Sequence, residues 1–113
     1  MHELSISQNI IEIIKENVTE NELSKVNKVI IEIGEVSGIL PDSLIFCFDI
    51  MKLDTPFSSA KMEIKNIPFV VLCNKCKTET KNTTGIRICE KCGNTDTEII
   101  SGTEMKITEI ELN

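Results

Sequence analysis

Tryptophan and tyrosine are absent from the 113 residues, a single histidine stands at position 2, and the aromatics amount to four phenylalanines. A core for this chain must therefore be built from aliphatic side chains, with isoleucine foremost. The shortage of aromatics also removes the stacking platforms that single-stranded nucleic acid needs. A net charge of −6 argues against non-specific binding to a phosphate backbone. No apolar run approaches transmembrane length. The amino-terminal segment lacks the basic-then-apolar form of an export signal, so a cytoplasmic location is expected. The phosphate-cradling loop, the serine-nucleophile elbow and the glycine-rich dinucleotide fingerprint are all missing. Catalytic turnover by this chain is not expected. The cysteines number five, an odd count without a disulfide framework, which suits a reducing compartment.

Four of those cysteines organise the chain. Cys73-Asn74-Lys75-Cys76 is followed, after twelve residues, by Cys89-Glu90-Lys91-Cys92. Each Cys-x-x-Cys pair wraps one tight knuckle, so two such pairs at this separation predict a tetrahedral zinc held by four thiolates. Two disulfides, or four unrelated thiols, are the competing readings. Four protein ligands leave no open position for water or substrate, so the site is structural and a zinc hydrolase is excluded. The bound thiolates would add about two negative charges to an acidic chain.

The rest reads as a small α+β fold. Leu4, Ile10, Ile11, Ile14 and Val18 recur at helical intervals, and Ser5 with Gln8 matches a capping box. That helix starts at Ser5 or runs back to His2, and it ends in the polar break after Glu16. A strand over 26–33 stops at Gly34. A second helix opens at Pro41, favoured at a first helical position, with Leu44, Cys47, Phe48 and Met51 on its inner face. Cys47 is thus expected as a core thiol. Ala60, Met62 and Ile64 alternate with Lys61, Glu63 and Lys65 in a second strand. The last strand, Glu104 to Leu112, shifts phase, and a bulge near Thr108-Glu109 would bring Met105, Ile107, Ile110 and Leu112 to one side. The expected architecture is two helices on a three-stranded sheet, comprising 1–68 and 103–113, with a four-cysteine zinc-knuckle domain inserted over 69–102.

His2 adjoins the amino terminus. A lone histidine is usually a solvated side chain, but here the Met1 amine, the His2 backbone nitrogen and the His2 imidazole can close fused chelate rings on one metal, and the Glu3 backbone nitrogen could complete a plane. Nitrogen donors in a square-planar set favour Ni(II) or Cu(II) over Zn(II). The first N–H groups of a helix have no partner inside it and are free to lose their protons to a metal. The macrodipole opposes a cation there, and Glu3 offsets it.

With these features together, the chain resembles the HypA/HybF family of nickel-insertion accessory proteins for [NiFe]-hydrogenase maturation. The resemblance rests on Met1-His2-Glu3, the Gly34-Glu35 pair, both Cys-x-x-Cys pairs and the Gly102-x-Glu104-Met105 return. It implies a nickel metallochaperone that binds Ni(II) as transient cargo at Met1, His2 and Glu3, with structural zinc on Cys73, Cys76, Cys89 and Cys92. It further implies two partners, the nickel-handling GTPase HypB and the hydrogenase large-subunit precursor. Some relatives carry histidines directly after their cysteine pairs, where this chain has Lys77 and Gly93.

The alternative is a zinc-ribbon adaptor that binds protein or nucleic acid without nickel. Lys75, Lys77, Lys81, Arg87 and Lys91 make the insert locally basic, which favours it. The acidic whole and the lack of interleaved aromatics weigh against it.

Overall fold

The computed structural model describes residues 3–82 and 85–113. In chain order it contains α1 (Glu3–Asn17), a 3-10 turn (Glu20–Lys25), β1 (Val26–Gly34), α2 (Pro41–Met51), a second 3-10 turn (Lys52–Asp54), β2 (Lys61–Ile67), β3 (Val70–Cys73), β4 (Glu79–Lys81), β5 (Thr97–Ser101) and β6 (Met105–Leu112). The strands form two three-stranded sheets, ordered β2-β1-β6 and β4-β3-β5. The fold is mixed α+β as expected, and it divides into two compact units.

The first unit comprises the chain up to Glu32, Gly38–Lys65 and Lys106–Asn113. Ile6, Ile10 and Ile14 recur every four residues on α1 and are all buried, as are Leu44 and Phe48 on α2. Truncating one such isoleucine to alanine costs about 2–5 kcal/mol. The Ser7 hydroxyl, buried between the helices, donates to the Leu44 carbonyl at 3.3 Å. At the far end of α1 the Asn17 amide donates back to the Ile13 carbonyl at 2.7 Å, and the Val18 N–H takes the Ile14 carbonyl at 3.1 Å. β1 is the central strand; Val29, Ile31 and Ile33 are buried on one side, and on the other Ile30 is buried between the half-buried Lys28 and Glu32. Cross-strand ion pairs flank it, Lys28 to Glu63 at 3.9 Å and Lys106 to Glu32 at 3.7 Å.

Several local expectations need correction. α1 already includes Glu3, so Ser5 lies inside the first turn and is no cap. Leu4 is 56 % exposed; the inward line runs through Ile6, Ile10 and Ile14, and Leu4 lies off it. On α2 the inward line is Leu44 and Phe48, leaving Cys47 and Met51 half-buried. Leu112 is exposed near the end of β6, whereas Met105, Ile107 and Ile110 are half-buried.

The second unit comprises Ile33–Ser37 and Asn66–Met105. β3 pairs antiparallel with β4, placing Val71 opposite Thr80, and with β5, placing Val71 opposite Ile99 and Cys73 opposite Thr97. Phe69, just ahead of β3, and Val71 and Cys73 on it are buried. The residues following β1 are tied into the same unit. Glu35 N–H donates to the Ile67 carbonyl at 2.9 Å, Val36 N–H to Gly102 at 2.8 Å, and Gly34 N–H to Glu104 at 2.8 Å.

Candidate metal centre

The cysteines come together because each knuckle is built by the same local bonds. In the first, Cys76 N–H donates to Cys73 Sγ at 3.4 Å and Lys77 N–H to the Cys73 carbonyl at 2.9 Å. In the second, Cys92 N–H donates to Cys89 Sγ at 3.4 Å and Gly93 N–H to the Cys89 carbonyl at 2.8 Å. The residue leaving each knuckle is left-handed, Lys77 at φ 59° and Gly93 at φ 78°. Glycine adopts that conformation freely, whereas a lysine there carries some strain.

Longer-range bonds then bring the knuckles to one point. Cys89 N–H donates to the Asn94 carbonyl at 2.9 Å, and the Asn94 amide reaches Cys73 Sγ at 3.8 Å. Asn74 binds Asp96 twice, N–H to carbonyl at 3.0 Å and amide to carboxylate at 3.0 Å. Behind the second knuckle, the Asn82 amide binds the Ile86 and Ile88 carbonyls. Arg87 and Thr97 exchange side-chain-to-carbonyl bonds at 2.6 and 3.0 Å.

As a result the four Sγ atoms of Cys73, Cys76, Cys89 and Cys92 lie within 4.8 Å of one another. The Cys73–Cys92 and Cys76–Cys89 sulfur pairs are each 3.6 Å apart. A tetrahedron of sulfurs with metal bonds of ~2.3 Å has edges of about 3.8 Å, so the donor set fits zinc in size as well as in chemistry. All four are free thiols, which removes the disulfide reading. Cys73 and Cys89 are buried, Cys76 is half-buried and Cys92 exposed.

The electrostatics differ from one thiol to the next. The Cys76 N–H, with further donors behind it, holds the Cys73 thiol down at about 6 against the opposing effect of burial. The Thr78 hydroxyl and N–H lower Cys76. At Cys92 the Asn94 N–H pulls downward, but the Cys73 thiol, burial and the other sulfurs push it up to about 11. Sequence reasoning named the four cysteines but missed Thr78 and Asn94. A polar residue two places after each pair was the available signal.

The other predicted site lies at the chain start. Met1 and His2 are outside the described residues. Glu3 opens α1, and its carboxylate accepts the Leu40 N–H at 3.4 Å, next to the start of α2. Among the described residues, the cysteine cluster is the one group of three or more His, Cys, Asp or Glu side chains able to hold a metal. None of the described helices is long and apolar enough to cross a membrane.

Comparison with known proteins gives the family of the chain. A family model described as "Hydrogenase/urease nickel incorporation, metallochaperone, hypA" matches residues 1–112. The chain is 42 % identical over 112 residues to the hydrogenase maturation factor HypA of Nostoc sp., covering 99 % of this chain and 96 % of that one. It is 41 % identical over 113 residues to the HypA of Desulfatibacillum aliphaticivorans, covering 99 % and 87 %. Its fold is similar to the solution structure of the Ni metallochaperone HypA from Helicobacter pylori, with a TM-score of 0.69 at 25 % identity over 99 % of this chain and 97 % of the other.

Proposed function

The chain belongs to the HypA family of hydrogenase/urease nickel-incorporation metallochaperones, and we propose that it carries Ni(II) at its amino terminus through Met1, His2 and Glu3. The observation that carries the proposal is the position of Glu3. It stands in the first turn of α1, so its N–H belongs to the set a helix leaves without an internal partner. Its carboxylate already accepts the Leu40 N–H. That favours the Glu3 backbone nitrogen, rather than its side chain, as the fourth donor of a planar set.

The four thiols supply a closed, sulfur-only donor set, and we assign them resident zinc rather than nickel. Zinc there would contribute folding energy to the second unit and no chemistry at an open position. Nickel needs a site that loads and releases, and a chain-end chelate of amine, amide and imidazole nitrogens meets that need. Each of those donors must lose or lack a proton to bind, so acid favours release. The chain itself catalyses no turnover in this reading and works in the cytoplasm. The nickel-handling GTPase HypB and the hydrogenase large-subunit precursor are its proposed partners. The deciding experiment is a nickel titration of the His2→Ala variant after zinc saturation.

A further inference from the structure

We propose that Asn94 is a positioning residue for the metal, its side-chain amide bracing the Cys73 sulfur against the second knuckle. The inference rests on the reading that the four thiolates hold zinc. Asn94 follows the left-handed Gly93 and is half-buried. Its carbonyl accepts the Cys89 N–H at 2.9 Å while its amide nitrogen stands 3.8 Å from Cys73 Sγ. One residue thus grips a ligand residue of each knuckle, by backbone on one side and side chain on the other. A metal-bound thiolate only accepts hydrogen bonds, so the amide must present its nitrogen to it.

The backbone already donates once within each knuckle, from Cys76 to Cys73 and from Cys92 to Cys89. Those two bonds are local and would survive if the knuckles separated. The Asn94 amide bond would not, because it spans 21 positions in sequence. It draws charge from the Cys73 sulfur, which is fully buried and cannot obtain a donor from water. Partners that orient a metal ligand from behind contribute about 10–100-fold to metal affinity when tested by substitution.

A side chain that merely suits its turn must be told apart from one that serves the sulfur. Asparagine and aspartate are near-equivalent in turns, whereas aspartate would set a carboxylate against a thiolate. Full-length wild type, Asn94→Leu and Asn94→Asp are stripped of metal and titrated with zinc against a competing chelator of known affinity. The expected result is roughly 10–100-fold weaker zinc binding in Asn94→Leu, and weaker binding still in Asn94→Asp. Cobalt substitution gives a second readout, the sulfur-to-metal charge-transfer band moving to lower energy as Cys73 loses its donor. Should the leucine variant fail to fold with metal, Asn94→Ser takes its place, again above Asn94→Asp in affinity. Asn94→Asp binding zinc as wild type does, or more tightly than Asn94→Leu, would overturn the proposal. So would an unmoved cobalt band. Wild type that takes up no zinc would instead overturn the zinc reading beneath it.

Discussion

Glu35 accepts the Phe69 backbone N–H at 3.0 Å across 34 positions of sequence. Its own N–H donates to the Ile67 carbonyl two residues earlier. The carboxylate therefore holds the chain on the approach to β3, just before the first knuckle. This gives the Gly34-Glu35 pair a physical role within the second unit, one that motif matching alone left unassigned.

Glu35→Ala should leave the Phe69 amide without its partner and lower stability by about 1–2 kcal/mol, the usual loss for a hydrogen bond to a charged group that solvent partly reaches. Glu35→Gln keeps an acceptor oxygen and should lose less. Amide hydrogen exchange at Phe69 reads this directly. Unchanged protection of that amide in Glu35→Ala would show that the bond carries no weight.

Gly34 and Gly102 should prove less forgiving. A Cβ on Gly34 would lie 2.1 Å from the Gly102 backbone, and one on Gly102 would lie 2.4 Å from Phe69 Cα, with Gly102 also at φ +110°. Backbone cannot yield as a flexible side chain does, so either alanine substitution should cost at least about 1–3 kcal/mol. Gly102→Ala adds the left-handed penalty and should be the worse of the two. Gly38 is also left-handed at φ +82°, but nothing lies within 4 Å of an added Cβ, so it carries the backbone penalty without a clash. Thermal melts of the three alanine variants should therefore place Gly38→Ala nearest wild type.

Much of the fold was legible because its signals are local. The period of Ile10 and Ile14, the proline at position 41 and the alternation from Ala60 to Ile64 all mark their elements without tertiary information. The errors arose where a choice depends on a neighbour. Leu4 and Ile6 are equally apolar, and only the packing of α1 on α2 selects Ile6. Cys47 sits one step from the Leu44–Phe48 line and lands half-buried. The cysteine cluster was legible because each knuckle is a four-residue object. The bonds of Glu35 to Phe69 and of Asn94 to Cys73 join distant positions, and no spacing rule encodes them.

The donor set leads to a direct test of the metal. Purified protein should hold one zinc with four sulfurs and no nitrogen or oxygen in its shell, as measured by elemental analysis and X-ray absorption. Serine at any one of Cys73, Cys76, Cys89 or Cys92 should loosen the second unit, because metal binding supplies much of the folding energy of so small a lobe. An oxygen or nitrogen ligand in the wild-type spectrum would contradict the four-thiolate assignment.

The thiols also set a pH signature. Cys73, held at about 6 against an ordinary 9.0, is largely thiolate at pH 7 in the folded, metal-free lobe. Cys92, raised to about 11, is protonated there. The sign follows for each. The lowered Cys73 favours the folded lobe above its unfolded value, a contribution lost as pH falls through about 6. The raised Cys92 favours it below 9.0, a contribution lost as pH rises through about 11. Zinc uptake at pH 7 should therefore release fewer protons than the four thiols would if all were protonated, and more as pH drops below 6. Calorimetry in buffers of differing ionisation enthalpy counts them, and a full complement at pH 7 from metal-free protein whose lobe circular dichroism shows to be folded would contradict the lowered Cys73.

The nickel assignment depends on the chain start, and chemistry makes it specific. In the proposed site the Met1 amine, the His2 imidazole and the backbone nitrogens of His2 and Glu3 would be the donors, and such a set suits Ni(II) in a plane. The thiolate cluster suits zinc better and offers nickel no vacant position. His2→Ala should thus abolish specific nickel binding while zinc content and fold stay as they are. One additional residue ahead of Met1 should weaken binding as well, since it carries the amine out of its ring. Glu3→Gln should matter little if the backbone nitrogen is the donor, because glutamine still offers an oxygen to the Leu40 N–H that Glu3 now accepts. A strong loss in Glu3→Gln would instead move the carboxylate into the ligand set. The measurement is a nickel titration of these forms after zinc saturation. Equal binding by wild type, His2→Ala and the extended chain would place the cargo site elsewhere, whatever the family of the protein.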